Sequence, residues 1–242
     1  MQWNGRLAGG CTALALLAAS LLGAEPAPAE QADEPDGVTG PQLDGQGNFV
    51  PLFNGRDLSG WAGAVKGYVV KDGVLACRPT SGGRIYTEDD YADFILRFEF
   101  KLLPGANNGV SIRTPPGGEG ALHGMEIQIL DDSVPAHRNA PAWHKHGSIF
   151  GVVAAKAGHL RPVGEWNSQE VTAHGTHIVV KLNGTTIVDA DLAPILESGQ
   201  TADGKGVMKA HPGLHRKTGR IGFIGTGSRV EFRDIRVKVL NK

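Results

Sequence analysis

Phe94-Ile95-Leu96-Arg97-Phe98-Glu99-Phe100-Lys101-Leu102 decides the fold class. Every even position is apolar, and Arg97, Glu99 and Lys101 fall between them. That period of two belongs to a long strand with one buried face. The same signal recurs further along the chain. Thr176–Leu182 and Thr185–Val188 flank Asn183-Gly184, a dipeptide that tolerates positive φ at both positions, so a hairpin is predicted there. In Arg229–Val239, Val230 and Phe232 share one parity while Ile235, Val237 and Val239 share the other, which reads as a β-bulge near Asp234. Shorter strands fit 49–53, 67–77, 83–87, 108–113, 124–130, 147–153, 167–173 and 218–224, and residues 192–217 read as a polar, irregular surface excursion. Many short strands joined by Gly-rich turns predict an all-β fold, a two-sheet antiparallel β-sandwich of the jelly-roll kind.

The region before residue 48 has a different character. Arg6 precedes the apolar run Thr12–Leu22, and Gly23 and Ala24 supply small residues after it. This order predicts a secretory signal peptide over 1–24, too short to span a bilayer, and therefore an exported protein, periplasmic or extracellular. Residues 25–47 are rich in Pro, Ala, Gly, Asp and Glu and read as a disordered linker. The remainder, 48–242, is roughly 195 residues, enough for one sandwich with its own core. It contains no apolar segment long enough to cross a membrane. A net charge of −1 gives no electrostatic pull toward nucleic acid or an anionic membrane. Cys11 falls in the signal segment and Cys77 has no partner, so no internal disulfide is expected, and Cys77 reads as a small core residue.

Three clusters carry candidate chemistry. In Met125-Glu126-Ile127-Gln128-Ile129-Leu130-Asp131-Asp132, the apolar residues Met125, Ile127 and Ile129 point into the core, which places Glu126 and Gln128 together on the opposite face. In Val110-Ser111-Ile112-Arg113 the same alternation brings Ser111 and Arg113 out. If the two strands are neighbours on a concave sheet, Arg113, Glu126 and Gln128 gather on one polar face, with Asn108 at its edge. Such donors and acceptors suit sugar hydroxyls. The segment also resembles the carboxylate strand of laminarinase-like glycosidases, with Gln128 in place of the middle acid and Asp131 at the last. A retaining glycosidase needs two carboxyls about 5–5.5 Å apart. The second cluster is Trp143-His144-Lys145-His146, where His146 is a candidate acid or base and His144 with His146 a candidate pair of metal ligands. In the third, Gly164-Glu165-Trp166-Asn167, Trp166 suits stacking on a sugar ring. His211, in the long excursion, is placed to close over a cleft. No nucleotide-binding glycine loop, nucleophile elbow or zinc-protease helix motif occurs.

Taken in order, several segments resemble the 3-keto-disaccharide hydrolase domain family: Pro51–Trp61, Ala106–Val110, Gly124–Asp131, His146–Gly151, Gly164–Asn167 and Val230–Ile235. The resemblance implies a concanavalin-like jelly roll, export, and action on oxidised glycosides. This sequence carries Phe150, Thr226 and Asp234 where the family commonly has Tyr, His and Asn. A 3-keto sugar has an acidic C2 proton, so cleavage by elimination and hydration needs a base at C2, a cation or donor at the C3 oxygen, and an acid at the leaving group. The expectation is Glu126 or His146 as base, Arg113 at the enolate oxygen, and Asp131 or the other member of the first pair as acid. A divalent metal is an alternative electrophile. Asn108, Gln128, Trp166 and His211 are then substrate-binding candidates. The competing expectation is a lectin-like module that binds carbohydrate without cleaving it.

Overall fold

The structure, a computed structural model, describes residues 49–79 and 81–240. The predicted signal peptide (1–24) and linker (25–47) lie outside the described residues. The strands are β1 (Val50–Pro51), β2 (Trp61–Gly63), β3 (Tyr68–Lys71), β4 (Val74–Cys77), β5 (Gly83–Thr87), β6 (Phe94–Leu102), β7 (Asn107–Thr114), β8 (Met125–Leu130), β9 (Trp166–His174), β10 (His177–Leu182), β11 (Thr185–Asp191), β12 (Arg220–Gly225) and β13 (Val230–Val239). They form two antiparallel sheets. One runs β11-β10-β9-β6-β13-β4-β3, with β1 also on β13, and the other runs β2-β5-β12-β7-β8.

The two sheets meet through the residues that the period of two assigns inward. Phe94, Leu96, Phe98, Phe100 and Leu102 of β6 are all buried, facing Val110 and Ile112 of β7, Met125, Ile127 and Ile129 of β8, and Ile221 and Phe223 of β12 across the core. At the centre, Phe223 lies 4.2 Å from Phe232, 5.6 Å from Trp61 and 5.8 Å from Phe98 between ring centroids. Trp61 is held there by its indole N–H, which donates to the Leu52 carbonyl at 2.7 Å. A knot of Asn54 and Asp57 side chains, which bond each other and the amides of Arg56, Asp57 and Ser59, forms the approach to it.

The hairpin and the bulge fall where the sequence places them. Asn183 and Gly184 have φ of 49° and 85° between β10 and β11. In β13 the pairing steps from Arg233↔Glu99 to Arg236↔Arg97, so Asp234 and Ile235 oppose the single residue Phe98, and Asp234 takes φ 53°. The extra residue lets Phe232, Ile235 and Val237 all face the core. Cys77 is buried, as expected of a small core residue.

Elsewhere the structure differs from the reading. The predicted strand 67–77 is divided by a turn at Asp72-Gly73, both at positive φ. The stretch 147–153 is not a strand, because Gly147 and Gly151 turn at φ 79° and 75°, leaving only bridges from Ile149 to Ile127 and Val153. The excursion 192–217 contains short helices at Ala193–Ser198, Val207–Ala210 and Pro212–His215.

Candidate active site

The outer face of the five-stranded sheet carries two ordered rows. Tyr86, Gly222, Ser111 and Glu126 lie side by side on β5, β12, β7 and β8, and Arg84, Ile224, Gly109 and Gln128 form the next row. At about 4.8 Å per strand, each row spans about 14 Å. Glycines at 222 and 109 lower the floor between the flanking side chains. A Cβ on Gly109 would collide with the Glu126 carboxylate, so that side chain lies flat across the neighbouring strand. Gln128 donates to the Asn107 side chain at 2.9 Å. The segment after β8 folds back beside it, with the Phe150 amide donating to the Glu126 carbonyl at 2.8 Å. Above the face sits the short helix Gly120–His123: a Cβ on Gly120 would meet Ile224, Ser111 and the Glu126 Cβ. Glu119, just before that helix, pairs with Arg84 at 3.1 Å.

This environment sets the chemistry of Glu126. Burial raises its pKa to about 7; the Arg84 charge opposes the rise and the Glu119 charge adds to it. No hydrogen bond to its carboxylate occurs among the described residues. A carboxyl that exchanges its proton near neutrality is suited to general acid–base work. The placement yields a specific expectation. Gly109→Ala leaves the backbone unstrained but displaces the Glu126 carboxylate, so turnover should fall by about a hundredfold, the cost of a misplacement near 1 Å. Its melting temperature should barely change, and steady-state kinetics beside a thermal melt check both.

Only Glu126 and Gln128 of the predicted site stay on this face; the other candidates are corrected by the packing. Arg113 takes φ 52° at a bulge where β12 and β7 slip register, which swings its side chain off the face to the end of the sandwich. There its guanidinium donates to Ala92 O, Gly175 O and the Asp93 carboxylate at 2.9, 2.6 and 3.0 Å. A cavity of about 730 Å³ opens beside it, lined also by Asp93, Leu192, Leu196 and Leu214, distinct from the rows around Glu126. Asn108 points to the core side, where its carbonyl oxygen accepts from Ser228 Oγ at 2.9 Å. Asp131 caps turns, accepting from the Gly105 amide at 2.8 Å and from the amide and hydroxyl of Ser133 at 2.9 and 2.6 Å. Burial pushes its pKa up, but those hydrogen bonds win and hold it below the usual range, so it is a poor proton donor.

His146 is displaced by the Gly147 turn into the core, where its ring stacks on Phe100 at 5.1 Å. Its Nδ1 accepts from the Leu130 amide at 3.3 Å, and burial drives its pKa down to about 3, which keeps it neutral. His144 instead packs on Trp143 and Phe150, so the two histidines share no site. Among the described residues no group of three or more His, Cys, Asp or Glu side chains is arranged to hold a metal. Trp166 lies on the outer face of the other sheet, flanked by Lys101 and by the Arg233 guanidinium at 4.9 and 4.0 Å from its ring. His211 is buried, with Nδ1 3.1 Å from Ala121 O and Nε2 3.0 Å from Asp203. Tyr86, Arg84 and Ser111 are the face residues that the reading left unused. Alternation within 83–87 carries the signal for the first two, since Ile85 is the inward residue between them.

The architecture defines a galectin-like jelly roll. A Bacillus subtilis protein of galectin-like fold superposes with a TM-score of 0.50 at 14% identity, covering 78% of this chain and 94% of that one. The 3-keto-alpha-glucoside-1,2-lyase-like domain family matches residues 48–238, and the chain belongs to that family. A relative from Bacteroides thetaiotaomicron, a 3-keto-disaccharide hydrolase, is 24% identical over 228 residues, 80% of this chain and 79% of that protein. The crystal structure of a candidate glycosyl hydrolase from Parabacteroides distasonis superposes with a TM-score of 0.72 at 28% identity, covering 80% of this chain and all of that one.

Proposed function

We propose that this protein cleaves 3-keto glycosides by elimination and hydration, with Glu126 as the proton-transfer residue. The observation that carries the reading is a carboxyl with a pKa of about 7 lying on a glycine-floored sheet face, in a chain of this family. Glu126 removes the C2 proton, and the electron pair forms an enolate toward the C3 oxygen. Collapse of the enolate breaks the C1–O bond. The departing oxygen takes the proton that Glu126 has just received, leaving a 1,2-unsaturated 3-ketone. Water then adds, hydroxyl at C1 and proton at C2, so the net reaction is hydrolysis. The Arg84 guanidinium, close enough to act electrostatically on Glu126, supplies positive potential for the enolate. The same proposal places the protein outside the cytoplasm, on the apolar run 12–22.

The test is incubation of purified protein with a 3-keto disaccharide and with its unoxidised parent, each with and without chelator. Release of free sugar from the keto form alone, insensitive to chelator, is the expected result. Saturable binding of both sugars without release of either would replace this reading with the lectin-like one.

A further inference from the structure

The buried pair His211–Asp203 joins three segments around Glu126. Asp203 Oδ1 accepts from the Thr201 hydroxyl at 2.7 Å and the Lys205 amide at 2.9 Å, while Oδ2 faces His211 Nε2 at 3.0 Å. Burial would raise the Asp203 pKa, but these partners hold it at about 2. The other ring nitrogen, Nδ1, faces the Ala121 carbonyl in the helix that covers Glu126. Both contacts lie against Gly151: a Cβ there would come within 2.6 Å of the imidazole and 3.0 Å of Asp203, and the Asp203 amide donates to the Gly151 carbonyl at 2.9 Å. Gly151 directly follows Phe150, which is bonded to the Glu126 backbone. Gly213 packs equally closely on the His123–Gly124 backbone.

We infer that His211 and Asp203 are positioning residues: they pin the 199–215 excursion to the 120–123 helix and to Gly151, and so hold the cover that limits the access of water to the half-buried Glu126. The inference rests on the proposed role of Glu126. Both imidazole nitrogens face oxygen atoms, Nε2 that of the Asp203 carboxylate and Nδ1 that of the Ala121 carbonyl, so the ring bridges the excursion and the helix. Other charged or titratable groups near these residues include Lys205, 3.9 Å from Asp203, the Arg84–Glu119 pair above Glu126, and His123 on the same helix, whose Nδ1 accepts from the Glu119 amide.

The experiment titrates the Glu126 carboxyl by ¹³C NMR, assigned by its loss in Glu126→Gln, in wild type and in His211→Ala, Asp203→Ala and Asp203→Asn. The wild-type midpoint should lie near 7. In the two alanine variants it should fall by about one pH unit or more as more water reaches the carboxyl, and kcat/KM on the keto substrate should drop about tenfold or more. Asp203→Asn keeps Oδ1 for Thr201 and Lys205 and places an amide opposite His211 Nε2, so it should stay near wild type. It also guards against an alanine variant that fails to fold. An unchanged midpoint in His211→Ala overturns the inference, as does a wild-type midpoint in the ordinary carboxylate range. The titration needs no turnover, so absence of activity in the wild type would count against the proposed reaction while the positioning role is still read from the midpoints.

Discussion

Glu126→Gln is expected to lose turnover of a 3-keto disaccharide by about a thousandfold, within the 10²–10⁴ range for removal of a positioned acid–base group. The amide fits the same space over Gly109, so the fold should be untouched. Because burial raises the Glu126 pKa to about 7, a base in this position makes kcat/KM rise with pH through about 7 and level off above it. That limb should vanish in the variant's residual activity. The same shift has a consequence for stability. The folded state holds the proton more tightly than the unfolded chain, whose glutamate titrates near 4.5. Stability from this group is therefore greatest below 4.5, declines as pH rises to about 7, and is flat beyond. Glutamine removes that penalty, so at pH 8 the variant should melt no lower than wild type. Full turnover in a folded Glu126→Gln protein would end the assignment.

Phe223→Ala should be the most damaging single core change. Its ring is fully buried and contacts Trp61 from its own sheet and Phe98 and Phe232 from the other. Truncation leaves a cavity between the layers and costs about 3–5 kcal/mol. For a domain of this size, each kcal/mol moves the melting temperature by about 2–4 °C, so a fall of roughly 6–20 °C is expected. Phe223→Leu should recover much of it by refilling the volume. Phe223 lies between Gly222 and Ile224, so loosening β12 should also lower activity before the protein melts. A drop of less than about 2 °C would mean that the aromatic cluster does not fasten the sheets.

The fold was legible because a sandwich writes its core into alternate residues. β6 and β5 match the predicted bounds, and the bulge at Asp234 follows from a change of parity. The strand that failed, 147–153, contains two glycines at positive φ, and period-two counting carries no information about φ. The site was less legible for the same reason. Alternation placed Glu126 and Gln128 correctly, since both lie in an uninterrupted strand. It misplaced Arg113, because a bulge at that residue inverts the side chain's direction. For His146 and Asp131 the sequence gives residue type but not burial: one became a neutral ring against Phe100, the other a turn cap. Trp166 emerges on the sheet opposite Glu126, which no local pattern shows, since facing direction within a strand does not reveal which sheet the strand joins. The rows through Gly222 and Ile224 depend on pairing of strands far apart in sequence, and no local pattern encodes that pairing.

The strand order also fixes when the site can exist. β12 lies between β5 and β7 in one sheet, and β13 between β6 and β4 in the other, so the middle of each layer comes from residues 220–239. A ribosome delivers these residues after all their neighbours. Until then β5, β7, β6 and β4 keep open the edges that these two strands will cover, edges that can pair with other chains, a period when chaperone protection matters most. Gly222, the low point of the first row, arrives with that late segment. Glu126 is translated nearly a hundred residues earlier, but the surface across which it works is completed only when the two central strands slot in, so a protein stalled short of them would have the acid without the site.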